Sequence, residues 1–125
     1  MRFLPTRVHG VIDYVVGALL AASPYLLGFA DGGPAEFVPV ALGLGAILYS
    51  AFTDYELGLI HAIPMPVHLG LDAASGVLLA ASPWLFGFAD QIFLPHLLIG
   101  LFEIVASLVT RTRPESGLVM GDNPP

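Results

Sequence analysis

Four apolar stretches alternate with short connections rich in glycine, proline and acidic residues. They cover roughly residues 7–29, 37–52, 67–88 and 92–110. Crossing about 30 Å of hydrocarbon takes about 20 helical residues. The first and third stretches reach that length. The second and fourth fall a little short, which predicts local thinning of the bilayer or anchoring at its surface. A backbone in lipid must satisfy its own hydrogen bonds, so each stretch is expected to be a helix.

The pattern repeats. His9 to Asp31 aligns with His68 to Asp90 without a gap, and fourteen of the twenty-three positions are identical. The matches include His9/His68, Asp13/Asp72, Gly17/Gly76, Ser23/Ser82, Pro24/Pro83, Gly28/Gly87 and Asp31/Asp90. After a small gap the second halves also align, through Gly43/Gly100, Ile47/Ile104, Ser50/Ser107 and Thr53/Thr110. Internal repeats fix architecture before local detail does. The expected fold is therefore an all-α membrane protein. Its four transmembrane helices form two tandem two-helix repeats, related by a pseudo-twofold axis along the membrane normal. The expected division is a first repeat at 1–56, an interfacial link at 57–66, a second repeat at 67–113 and a disordered polar tail at 114–125. The first stretch also resembles a signal peptide with Ala21-Ala22-Ser23 as its small-residue site. It is not read as one, because the same segment recurs inside the chain.

Composition supports lipid rather than water as the solvent. Of 125 residues, 56% are hydrophobic and only 11% charged, with a mean hydropathy of +0.82. A soluble domain carries about 25% charged residues. The net charge of -6 leaves no basic patch for nucleic acid. The absence of cysteine excludes disulfides, thiolate metal sites and a cysteine nucleophile. All four basic residues, Arg2, Arg7, Arg111 and Arg113, flank the first and last spans, while the two short loops near Asp31 and Asp90 carry only acids. The positive-inside rule then predicts a multi-pass protein with both termini and the middle link cytoplasmic.

Pro24 and Pro83 each lack an N–H and crowd the preceding turn, so each long helix is expected to kink or end there. Tyr25 and Trp84 follow, and such aromatics favour the membrane interface. Ser23-Pro24-Tyr25 and Ser82-Pro83-Trp84 are read as a structural cap; the alternative is a ligand pocket beneath the kink. The motif Ser82-Pro83-Trp84-Leu85-Phe86-Gly87-Phe88, its partner at Ser23, and the link Thr53-Asp54-Tyr55-Glu56-Leu57-Gly58 with Pro64-Met65 and His68-Leu69 resemble the SPW repeat family of small prokaryotic membrane proteins. Tyr25 stands where that family's name-giving Trp would be. The resemblance implies a bacterial or archaeal protein of the cell (inner) membrane and no particular activity.

His9 and Asp13 lie four apart, as do His68 and Asp72, so each pair shares a helix face. Gly17 and Ala21, and Gly76 and Ala80, continue those faces, and small residues let helices approach closely in lipid. The first and third helices are therefore expected to bring His9, Asp13, His68 and Asp72 together. Two readings stand. The groups satisfy one another and fix register, or they form a proton relay or metal site, for which His9 and His68 are weak candidates. No cofactor is assigned from the sequence.

Glu103 is the one carboxylate in the middle of the fourth span, sharing a face with His96, Gly100 and Ser107. Span two has Ala46 at the equivalent place. Glu103 either donates, as an acid, to a carbonyl freed by Pro24 or Pro83, or handles a proton or cation together with His96 and Ser107. The link around His61 is expected to lie on the membrane surface as a short amphipathic helix ended by Pro64 and Pro66. No catalytic constellation is recognisable. The leading expectation is a non-enzymatic membrane scaffold or binding module, partnered by the lipid bilayer and by a second copy or another membrane protein. The alternative is a transporter-like proton, cation or small-ligand handler.

Overall fold

The computed structural model describes residues 1–114; apart from Pro114, the expected tail lies outside the described residues. Four helices follow one another: α1 (Thr6–Leu26), α2 (Pro34–Ala51), α3 (Met65–Leu85) and α4 (Leu94–Val109). The first three are long and apolar enough to cross a membrane, and α4, with 16 residues, is apolar but shorter. Proline occupies the first turn of α2, α3 and α4. There its missing N–H is no loss, because the first helical N–H groups have no intrahelical acceptor.

The helices do not stop at their internal prolines. α1 continues through Pro24 to Leu26, and α3 through Pro83 to Leu85. The reason lies in the preceding serines. Each proline deprives the carbonyl four residues earlier of its donor. The Ser23 hydroxyl donates to the Leu20 carbonyl and the Ser82 hydroxyl to the Leu79 carbonyl, both at 2.7 Å. The helices end just beyond, where Gly28 and Gly87 adopt φ 76°. Phe29 and Ala30 donate back to the Pro24 carbonyl, and Phe88 and Ala89 to that of Pro83. This closure needs a left-handed residue, hence glycine. The Ser-Pro pair thus keeps the last helical turn in place of a break.

Packing is strongest within two hairpins, α1 with α2 and α3 with α4. The α2–α3 seam is looser and the α1–α4 seam barely closed. Glycines set the close crossings. A Cβ on Gly43 would lie 2.6 Å from the Gly17 carbonyl oxygen, and one on Gly100 would lie 2.6 Å from that of Gly76. The small residues therefore serve each hairpin. They do not bring α1 and α3 into backbone contact, as their shared face with the His–Asp pairs had suggested.

The segment before α1, the residues just after α4 and the link lie at the same end of the bundle. Leu4 bridges Thr110 beyond α4, and Ile63 bridges Thr53 beyond α2. Arg2 ties this end further, donating from Nη1 to the carbonyls of Ser107 and Thr110. The link is not the expected amphipathic helix. It folds back on the end of α2, with Leu59 and Ile60 donating to the Ala51 carbonyl and Ile63 to that of Phe52. Its Tyr55 is fully buried, packed with Met65 and Leu69. Pro64 stands at the N-cap of α3 and ends no helix.

Gly43→Ala is expected to cost about 1–3 kcal/mol, the usual cost of overpacking. Gly45→Ala, where an added Cβ meets nothing within 4 Å, is expected to be neutral or mildly stabilising. Reversible unfolding in mixed micelles of a mild detergent and dodecyl sulfate compares the two.

Candidate functional site

The four repeated ionisable side chains meet in one buried cluster. His9, Asp13, His68 and Asp72 are all buried, and one potential ligand atom from each lies within 4.8 Å of the others. His9 Nε2 is 3.0 Å from Asp13 Oδ1 and 2.7 Å from Asp72 Oδ2. His68 Nε2 is 3.0 Å from Asp13 Oδ2 and 3.2 Å from Asp72 Oδ2. The two imidazoles stand edge to face with centroids 5.6 Å apart. Each histidine therefore reaches both its own helix's aspartate and the other helix's.

The outer nitrogens have fixed roles. His9 Nδ1 lies 2.7 Å from Thr110 Oγ1, and that hydroxyl donates to the Ala106 carbonyl at 2.6 Å. His68 Nδ1 lies 2.7 Å from Thr53 Oγ1, which donates to the Tyr49 carbonyl at 2.7 Å. A hydroxyl has one proton, already committed to the carbonyl, so each Nδ1 must be the donor. A neutral ring then carries its lone pair on Nε2, aimed at the cluster. The threonine after α4 orients the histidine of α1, and the threonine after α2 orients the histidine of α3. The two halves of the chain exchange the groups that hold their histidines.

Two phenols complete the shell. The Tyr49 hydroxyl donates to Asp72 Oδ1 at 2.5 Å and the Tyr55 hydroxyl to Asp13 Oδ2 at 2.6 Å. Burial, reinforced by the neighbouring Asp13 carboxylate, pushes the Tyr55 phenol above its ordinary range, so it remains a donor. The pattern Thr53/Thr110 was visible as a repeat, but nothing in it showed which histidine each would meet. Tyr49 and Tyr55 have no repeated counterpart and gave no signal.

Glu103, His96 and Ser107 are not brought together by hydrogen bonds. His96 Nε2 donates to the Ala35 carbonyl at 2.9 Å and its ring packs on Phe29 and Phe88, near the loops opposite the link. Ser107 donates to the Ile104 carbonyl of its own helix. Glu103 alone faces the polar centre. The carbonyls of Leu20 and Leu79, freed by the prolines, are taken by Ser23 and Ser82, so Glu103 serves neither. Its Oε1 is buried and without a hydrogen-bond partner. It lines a cleft with His9, Asp13, Asp72, Ala46 and Ala106. By the repeat alignment, Tyr49 corresponds to Ala106 and Ala46 to Glu103. Tyr49 fills the α2–α3 side and bonds Asp72, whereas the small Ala106 leaves the α1–α4 side open.

The Ser-Pro-aromatic motifs lie at the far end. Tyr25 and Trp84 are exposed. The Tyr25 hydroxyl donates to Glu36 at 2.7 Å and Trp84 packs on Phe93. His61 is exposed beside Asp54, with Nδ1 3.0 Å from the carboxylate.

A bundle of apolar helices closed around a buried His–Asp cluster is the design of a small helical membrane protein. Residues 7–110 match the family described as the SPW repeat domain, and the chain belongs to that family. Neither a curated protein nor a solved structure matches it.

Thr110→Val keeps the shape of the side chain and leaves His9 Nδ1–H without an acceptor. It is expected to lower stability by about 1–3 kcal/mol, with Thr110→Ser recovering most of the loss. The same detergent unfolding assay measures both.

Proposed function

We propose that this protein is a non-enzymatic, four-span membrane module that works by association, with a second copy or with another membrane protein. The observation that carries this reading is how little room the polar centre leaves. The cleft at the polar centre holds about 10 Å³, room for roughly one water molecule. A substrate pocket is typically several hundred Å³. The outer surface, in contrast, is almost continuously apolar, with residues such as Val15, Leu19, Leu44, Leu48, Val77 and Leu101 exposed. On α2, Ala41 is exposed, and four residues on, Gly45 has open space where a Cβ would project. Small residues at that spacing suit close approach of another helix in lipid.

The paired contacts support two repeats in one orientation. Gly17–Gly43 matches Gly76–Gly100, Ser23–Leu20 matches Ser82–Leu79, and Leu4–Thr110 matches Ile63–Thr53. A pseudo-twofold axis along the membrane normal relates these pairs. The end that carries Arg2, Arg7, Arg111 and the link faces the cytoplasm in this reading, by the positive-inside rule. The α4 helix spans despite its length through local thinning of the bilayer.

A second reading, proton or cation handling, has one observation in its favour: the unpartnered Glu103 Oε1 beside the polar centre. Intramembrane carboxylates commonly carry such roles.

The chain has no cysteine, so single cysteines report sidedness cleanly. Gln91→Cys is expected to react with an impermeant maleimide from outside intact cells, and Leu59→Cys only after permeabilisation. Labelling of Leu59→Cys alone in intact cells reverses the topology. Native mass spectrometry from lipid nanodiscs is expected to give dimers or larger species. A strictly monomeric chain with no co-purifying membrane partner removes the association reading. Proton or cation flux in proteoliposomes that is abolished by Glu103→Gln establishes the second.

A further inference from the structure

The polar centre contains more acceptors than donors. Thr53 and Thr110 take the Nδ1 protons, so both Nε2 atoms face inward as lone pairs unless a second proton is added. His9 Nε2 is aligned on Asp72 Oδ2 at 2.7 Å, and a proton serves it well there. His68 Nε2 is different. It is fully buried, lies within 3.2 Å of two carboxylate oxygens, and is aligned for a hydrogen bond with neither. Two carboxylates between neutral rings carry two negative charges within apolar helices, which either a proton on each ring or one divalent cation balances.

We infer that the cluster is a binding site for one divalent transition-metal ion, with His9 Nε2, His68 Nε2 and one oxygen each of Asp13 and Asp72 as ligands. Two neutral imidazoles and two carboxylates cancel the charge of a divalent ion, which suits a membrane interior. The mixed nitrogen and oxygen set fits zinc, iron(II), manganese(II) or cobalt(II) rather than a soft monovalent ion. Bonds of about 2.1 Å place tetrahedral ligand atoms roughly 3.4 Å apart. The His–Asp separations of 2.7–3.2 Å would open toward that spacing, and the widest pair, with all four ligand atoms within 4.8 Å of one another, would close toward it.

The surrounding groups are those a metal site requires. A ligating histidine ordinarily donates its other N–H to an oxygen that fixes ring and tautomer; Thr53 and Thr110 accept these protons. The carboxylates are held by Tyr49 and Tyr55. Entry has a path along the α1–α4 seam, where Ala106 leaves the cleft that Tyr49 closes on the other side. Glu103 stands in that cleft, a carboxylate able to take the ion in passage or to hold a water beside it. This inference goes beyond the association reading and is independent of it, because the site is complete within one chain.

The test uses the full chain in mild detergent, stripped with a chelator and shown folded by circular dichroism. Zinc, cobalt(II), manganese(II) and iron(II) are titrated separately under anaerobic conditions, with calorimetry and elemental analysis. One equivalent of at least one metal is expected per chain. Cobalt is expected to show the ligand-field absorption of a low-symmetry four- or five-coordinate site, and X-ray absorption to show imidazole scattering. His68→Gln should abolish stoichiometric binding. Thr110→Val, which leaves all four ligands in place, should weaken it about 10–100-fold, as loss of a supporting partner does. Glu103→Gln should keep the equilibrium stoichiometry and slow uptake. If the folded wild-type chain binds none of the four metals, the proposal is overturned. It is equally overturned if binding is unchanged in His68→Gln, or if the bound metal shows no imidazole scattering. A wild-type dimer that takes up no metal rejects this inference and leaves the association reading intact.

Discussion

Four ionisable side chains inside a bundle of apolar helices impose the constraint from which the other features of the interior follow. Unpaired charge in such surroundings is expensive, and the cost falls only when every polar atom meets a complementary one. His9, Asp13 and Asp72 meet that condition by crossing between helices that scarcely touch through their backbones, and in this cluster only His68 Nε2 is left without an aligned partner. Two tyrosines and two threonines are recruited to finish the shell. The loosely packed junction between the two hairpins is therefore specified by polar contacts, while each hairpin is specified by glycine-to-backbone contact. Division of labour of this kind suits lipid. There apolar burial gives little preference between one helix pairing and another, and close packing and directional bonds supply it.

The exchange of threonines shows how the two halves depend on each other. Neither half can orient its own histidine, because Thr53 serves His68 and Thr110 serves His9. The bridges Leu4–Thr110 and Ile63–Thr53 hold those threonines in register at the same end of the bundle. Both therefore tie the segment before α1 and the link to the threonines that face the centre. The sequence departs from internal symmetry at two neighbouring turns, with Tyr49 opposite Ala106 and Ala46 opposite Glu103. That departure gives one seam a plug and the other a cleft with a carboxylate in it.

Much of the fold was legible because the periodicity and the repeat both speak to lipid-embedded helices. The four apolar helices and the convergence of the His–Asp pairs could be read from spacing and the repeat. Spacing along one helix, however, does not reveal the partner helix. Gly17 and Gly76 share a general direction with the histidines yet pack on Gly43 and Gly100. The expectation that each long helix kinks or ends at its proline left out the neighbouring hydroxyl, which takes the freed carbonyl and lets the helix run two residues further. The link was misread as a surface helix because its apolar residues look interfacial, whereas Tyr55 is drawn inward by Asp13. Glu103 faces the polar centre, but its expected companions do not join it: His96 bonds the Ala35 carbonyl of α2 and Ser107 the Ile104 carbonyl of its own helix.

The central claim is that polar contacts between the two halves hold the bundle together. The most direct test is a double-mutant cycle on His9 and Asp72, with His9→Ala, Asp72→Ala and the pair unfolded in metal-free detergent. Residues in direct contact in one network show coupling of about 0.5–3 kcal/mol. Coupling in that range is predicted, with the double variant less destabilised than the sum of the singles. Additivity to within about 0.3–0.5 kcal/mol, as for independent sites, would contradict the account.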